Sequence, residues 1–163
     1  MVVGSSYRKL NSRIVANAWG PCDPKQYTAE DSGFGFIRFK NGATVSLESS
    51  WALNIRKFSE ARCTLCGTEA GADMDDGLHI NGERYGRLYE ELTELEVGGV
   101  DFYDPTLDMT PGEREADAWV QAIIDGKDPV VKPYEALVVT EIIEAIKTSA
   151  ITGKPVYFDQ AAA

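Results

Sequence analysis

The chain has 163 residues, enough for one domain of ordinary size or one domain carrying an extended arm. Its 44% apolar and 26% charged residues exclude a disordered or collagen-like chain, and no run of about 18 apolar residues offers a membrane-spanning helix. The net charge of −10, from 26 acids against 16 bases, argues against a nucleic-acid surface, because a phosphate backbone repels an acidic partner.

The charge is unevenly spread. Residues 1–50 hold six bases and four acids, whereas residues 51–163 hold ten bases and twenty-two acids, so the acidic excess reads as solvated faces of the later elements. The opening Met1-Val2-Val3-Gly4, followed by Ser5, Ser6, Tyr7, Arg8 and Lys9, lacks the apolar stretch of a secretory signal and reads as a chain that begins mid-protein. Residues 1–29 are expected to form an N-terminal strand and a long loop. Its least regular part runs from Asn11 to Tyr27, with turns at Gly20-Pro21 and Asp23-Pro24, and loops of that length inside a domain are usually functional or disordered.

From Gly33 to Trp51 two apolar-rich runs are joined by Asn41-Gly42, the dipeptide that suits a two-residue hairpin turn. If Lys40 pairs with Ala43, Phe36 faces Leu47 and Arg38 faces Val45. One face then collects Phe34, Phe36, Val45, Leu47 and Trp51, as a sheet burying itself under helices needs. The other carries Gly35, Ile37, Phe39, Thr44, Ser46, Glu48 and Ser50, a mixed surface that suits a second subunit or a substrate better than bare solvent.

Cys63-Thr64-Leu65-Cys66 matches the C-x-x-C pattern, and Cys22 with His79 could complete four zinc ligands. Its neighbours read as strand, however, and positions three apart on a strand point to opposite faces, so no metal site is expected. Three cysteines without a disulfide framework favour a reducing compartment and a cytoplasmic location. Asp73, Asp75, Asp76 and Gly77 lack the spacing of a calcium loop and read as a turn. Asn81-Gly82 predicts a second hairpin in which His79 faces Arg84, without a carboxylate to make it catalytic.

Farther on the period changes from two to 3.6. Thr110-Pro111-Gly112-Glu113 has capping-box spacing and should start a helix with the stripe Ala116, Trp119, Val120, Ile123 and Ile124, stopped by Gly126. A longer helix should run from about Pro133 to Thr152 and end at Gly153 and Pro155, before a short strand at Val156-Tyr157-Phe158 and a fraying tail at Ala161 to Ala163. Strands followed by helices, with no β-α-β alternation, predict an α+β fold: an open, largely antiparallel sheet with helices packed on one face.

The usual chemical motifs are missing. There is no G-x-G-x-x-G, no phosphate loop and no G-x-S-x-G elbow, and a single histidine gives little support to a nucleophilic triad.

The segment Glu30-Asp31-Ser32-Gly33-Phe34-Gly35-Phe36-Ile37-Arg38-Phe39-Lys40-Asn41-Gly42-Ala43, with Leu47-Glu48-Ser49-Ser50-Trp51-Ala52-Leu53-Asn54, resembles the C-terminal domain of the Gfo/Idh/MocA oxidoreductases. Leu65-Cys66-Gly67-Thr68-Glu69-Ala70-Gly71 looks like that family's glycine-punctuated strand and turn. Pro129-Val130-Val131, Glu135-Ala136-Leu137, Ile142 to Ile146 and Ser149 to Val156 look like its closing helix and strand. The resemblance covers nearly the whole chain, and so implies that residues 1–163 form one such domain, of the dihydrodipicolinate-reductase-like C-terminal type.

It further implies a parent protein whose Rossmann domain, absent from this sequence, binds NAD or NADP. The present domain would shape the pocket for a sugar, cyclitol or other polyol and build a homo-oligomer through its sheet face. The family's glycine-rich motif, its Glu-Lys-Pro segment and its D-x-G-x-H segment all precede the matched region, so no cofactor-binding or catalytic residue is assigned here. Asp75-Asp76-Gly77-Leu78-His79 looks similar to the last of these but lies after the hairpin. Candidate substrate contacts are Tyr7, Arg13, Asn17, Trp19 and Tyr27, since aromatic faces stack on sugar rings and Arg or Asn grips hydroxyls. Candidate interface residues are Ile37, Phe39, Thr44, Ser46 and Glu48. The alternatives are a standalone binding or structural module that kept this sheet and, less well supported, a cofactor-free hydrolase or isomerase using surface carboxylates.

Overall fold

A computed structural model describes residues 1–9, 16–17, 20–21, 23, 25–51, 53, 55, 62–74, 77–93 and 109–158. By internal contacts the chain divides into two compact units, Met1–Ile55 with Val131–Ala163, and Arg56–Val130.

The first unit is built on a three-stranded antiparallel sheet in the order β1 (Val2–Tyr7), β4 (Ser32–Arg38), β5 (Thr44–Ser50), with a two-stranded ribbon of β2 (Ala16–Asn17) and β3 (Gly20–Pro21). The helix α2 (Pro133–Thr152) packs on β1 and β4. It starts after Lys132 with Pro133 at its first turn, and the Glu135 carboxylate accepts from the Lys132 N–H at 2.8 Å. It stops at Gly153, whose φ of 66° is the left-handed cap expected of glycine. Val2, Ile37, Ala145 and Ile146 form the buried core, flanked by Leu47, Ile142 and Val156.

The β4–β5 hairpin corrects the expected register. Phe39 N–H donates to the Ala43 carbonyl at 2.9 Å, and Gly42, at φ 91°, donates to the Phe39 carbonyl at 3.2 Å. The loop thus closes one residue wider than a two-residue turn, with Gly42 as the left-handed bulge residue. Phe36 consequently pairs with Ser46, Ile37 with Val45 and Arg38 with Thr44. A shift of one residue exchanges the faces of one strand relative to the other. Ile37 therefore joins Val45 and Leu47 on the face toward α2 and is only 4% exposed. Thr44, Ser46 and Glu48 share the opposite face with Phe34 and Phe36, and Phe39 lies beyond the end of β4, exposed in the turn.

The outer edge of β1 is closed. Val2 exchanges two 2.8 Å backbone bonds with Val156, and the Gly4 N–H donates to the buried Ser149 hydroxyl at 3.0 Å. The strand expected at Val156-Tyr157-Phe158 reduces to that single bridge. The tail at Ala161 to Ala163 lies outside the described residues.

The second unit holds a four-stranded antiparallel meander, β6 (Thr64–Cys66), β7 (Ala70–Asp73), β8 (Leu78–Arg84) and β9 (Arg87–Thr93), followed by α1 (Pro111–Asp125). Asn81-Gly82 is not a turn, contrary to the sequence reading. It lies inside β8, where Asn81 pairs with Glu90 and Gly82 with Tyr89, and the turn falls at Tyr85-Gly86, with φ of 57° and 73°. A Cβ on Gly82 would meet the Tyr89 ring at 2.9 Å, so this glycine makes room for a cross-strand aromatic, and Arg84 stacks on that ring at 4.8 Å.

The capping box of α1 forms as expected, with Thr110 Oγ1 accepting from Glu113 N–H and the Glu113 carboxylate accepting from Thr110 N–H, and Gly126 ends the helix at φ 65°. Trp119, Val120, Ile123 and Ile124 are all exposed, and within this unit no described strand packs against α1. The observed architecture is antiparallel sheets with two helices, an α+β fold.

Candidate functional site

Two aromatic pairs gather around one buried acid in the first unit. Asp31, the residue before β4, is 1% exposed. Its carboxylate accepts the Lys9 N–H at 2.6 Å on Oδ2 and the Ser32 hydroxyl at 2.8 Å on Oδ1. Its own N–H donates to the Tyr7 carbonyl at 2.9 Å, and its carbonyl accepts the Ser50 hydroxyl at 2.8 Å and the Trp51 N–H at 3.3 Å. Asp31 thus ties the end of β1, the start of β4 and the end of β5 to each other.

Tyr7 meets Phe34 edge to face at 6.2 Å, and Tyr27 meets Trp51 edge to face at 4.9 Å. The Trp51 indole N–H reaches the Glu30 carbonyl at 3.4 Å. Glu30 in turn faces Lys147 of α2 at 3.3 Å. Its carboxyl is held below the ordinary range by its own backbone N–H first and by the Lys147 ammonium second.

Of the five candidate substrate contacts, the structure thus ties Tyr7 and Tyr27 to the same corner of the sheet. Asn17 belongs to β2 by its backbone, and Arg13 and Trp19 lie outside the described residues. Sequence reasoning missed Asp31 and Trp51 as parts of this corner. The available signal was an Asp-Ser pair at a strand start, because such side chains bond neighbouring backbone groups.

The exposed face of the same sheet carries Val3, Tyr7, Phe36, Arg38, Thr44, Ser46 and Glu48. Phe36 is 48% exposed at its centre. This face differs from the expected one, with Phe34 and Phe36 in place of Gly35 and Ile37, so the candidate interface residue Ile37 is buried against α2 instead.

In the second unit His79 does have a carboxylate, unlike the sequence expectation. Its Nδ1 lies 2.7 Å from Glu90 Oε1, because β8 and β9 pair in a register set by the Tyr85-Gly86 turn. On the same face Asn81 donates to Asp73 at 3.0 Å. Cys63 and Cys66 are exposed and free, and Cys63 lines a shallow depression with Arg62, Thr64, Asp73 and Met74.

A dinucleotide does not fit the described elements. Every described strand pair is antiparallel, so no strand-to-helix crossover presents a glycine-rich turn to a pyrophosphate. The two helix N-termini are closed by their own carboxylates, Glu113 and Glu135, which occupy the place an anion would take.

The family model described as the oxidoreductase family, C-terminal alpha/beta domain, matches residues 5–158. The chain belongs to the Gfo/Idh/MocA oxidoreductases. A relative from Escherichia coli (strain K12), D-glucoside 3-dehydrogenase, is 31% identical over 149 residues, which is 91% of this chain and 39% of the relative. Among solved structures, the aldose-aldose oxidoreductase from Caulobacter crescentus complexed with glycerol superposes with a TM-score of 0.58 at 18% identity, over 96% of this chain and 40% of the other. An oxidoreductase from Agrobacterium radiobacter in complex with NAD+, L-tartaric acid and magnesium gives a TM-score of 0.60 at 16% identity, over 94% and 41%. These two likenesses speak to the fold alone. The chain spans about two fifths of the length of these relatives.

Proposed function

We propose that this domain shapes the substrate pocket and builds the oligomer interface of an NAD(P)-dependent oxidoreductase acting on a sugar or cyclitol. The observation that carries the reading is the match of residues 5–158 to the C-terminal alpha/beta domain of that family, in a chain whose described elements offer a dinucleotide no cradle. In this reading all 163 residues act as one domain beside a Rossmann domain that supplies NAD or NADP. Tyr7 and Tyr27 offer aromatic faces to the substrate ring, with Arg13, Asn17 and Trp19 from the long loop as further contacts. The face around Phe36, with Thr44, Ser46 and Glu48, meets a second copy, and a cytoplasmic location follows from the free thiols.

Two measurements test it. Reading the coding DNA upstream of Met1 should find an in-frame stretch of about one domain length carrying G-x-G-x-x-G and D-x-G-x-H. A stop codon and a ribosome-binding site there would instead favour a standalone binding module. Calorimetry of the 163-residue chain with NADH should give no heat of binding, and micromolar affinity would contradict the assignment of cofactor binding to another domain.

A further inference from the structure

We infer that Asp31 is the positioning residue of the aromatic corner, holding Tyr7 and the Tyr27–Trp51 pair in place for the apolar face of a pyranose ring. This rests on the proposed substrate-shaping role and adds to it the residue that pre-organises the site and the class of ligand surface it takes.

Four polar groups of Asp31 are engaged with different chain segments. The carboxylate holds the Lys9 N–H and the Ser32 hydroxyl, the amide holds Tyr7, and the carbonyl holds Ser50 and Trp51. A buried carboxylate is costly to desolvate unless it is bonded, and here both of its oxygens are bonded. Its bond to the backbone just after Tyr7 fixes where β1 ends.

The aromatic surfaces depend on that anchoring. Trp51 lies past the last residue of β5, and the backbone bond given to its amide runs to Asp31. Tyr27 precedes β4 on the incoming loop and meets Trp51 edge to face. Tyr7 and Trp51 are exposed, whereas the residue that holds them is not. Exposed aromatic faces with a buried polar anchor suit a ring that offers C–H bonds on one face and hydroxyls at its rim. A rigid platform binds with less ordering cost than a loose one.

The test uses the full 163-residue chain, with methyl β-D-glucopyranoside as the probe and nuclear magnetic resonance as the readout. Wild type should show cross-peaks between the Tyr27 and Trp51 rings and saturation transfer from both to the glucoside. Asp31→Ala should lose the ring cross-peaks and weaken glucoside binding about tenfold while the helical circular dichroism persists. Asp31→Asn, which keeps an acceptor for the Lys9 N–H, should retain the cross-peaks.

If Asp31→Ala fails to fold, Ser32→Ala decides, since it removes only the hydroxyl on Oδ1 and should still weaken the probe about threefold. Unchanged cross-peaks and binding in a folded Asp31→Ala, or in Ser32→Ala where that variant decides, overturn the positioning role while leaving the substrate reading intact. Loss of the cross-peaks in a chain that never binds the glucoside supports the positioning role and overturns the sugar-binding reading instead.

Discussion

Gly4 lies against the backbone of Ile146, so closely that a Cβ built on it would stand 2.5 Å from the Ile146 carbonyl oxygen and 2.8 Å from the Ile146 Cα. The helix can approach β1 this far only because the strand has no side chain there. Gly35, paired with Gly4 on the neighbouring strand, faces the same residue differently, with its added Cβ 2.5 Å from Ile146 Cδ1. A side-chain tip can rotate away and a helix backbone cannot. Gly4→Ala should therefore destabilise by about 1–3 kcal/mol, the usual range for overpacking, and Gly35→Ala by less. Urea denaturation of the two variants checks the order, and equal midpoints would contradict the geometry.

Phe36 and Ile37 are sequence neighbours that the register sends to opposite faces. Ile37→Glu places a charge among Val2, Ala145 and Ile146 and should unfold the first unit, because an unpaired buried carboxylate costs several kcal/mol. Phe36→Glu should leave the circular dichroism unchanged. If the open face joins two copies, the same substitution should also lower the sedimenting mass to that of a monomer. A folded Ile37→Glu would mean the hairpin register is wrong, and an unchanged mass in Phe36→Glu would remove support for the interface.

Tyr85 holds a φ of 57° beside Gly86 at 73°, the pair of left-handed residues that a two-residue hairpin turn demands. A tyrosine there is strained, and at 96% exposure it recovers little by packing. Tyr85→Asn should stabilise the β8–β9 hairpin by about 1 kcal/mol, since asparagine tolerates this conformation. Slower amide exchange across β8 and β9 would report the gain, and faster exchange would refute it.

Glu30 has its carboxyl lowered by its own backbone N–H and then by Lys147. A lowered value in the folded chain means that its contribution is complete above the unfolded carboxylate range and is lost as pH falls through the folded value. Lys147→Met removes the second cause, so the Glu30 midpoint should rise part of the way toward the ordinary range. A carbon-13 titration of the Glu30 carboxyl measures this, and an unmoved midpoint would show that the ion pair at 3.3 Å has no influence.

Local chemistry accounts for what the sequence makes legible. Thr110 to Glu113 and Gly126 mark one helix, Pro133 and Gly153 bound the other, and both appear where caps and stops demand them. The α+β class follows from the same signals, because the change from period two to period 3.6 needs no long-range information. The two hairpins were not legible in the same way. Asn-Gly occurs twice, and in one case it sits in a turn with an extra bulge residue, in the other inside a strand, since a turn dipeptide favours a conformation without fixing which cross-strand pairs form.

Spacing within a few residues is enough to place the two helices and the passage from strands to helices. Long-range contacts set which face Ile37 takes, that His79 meets Glu90, and that Asp31 joins Tyr7 to Trp51. Each of these depends on pairing between distant segments, and in a sheet one residue of register exchanges every side chain between core and surface.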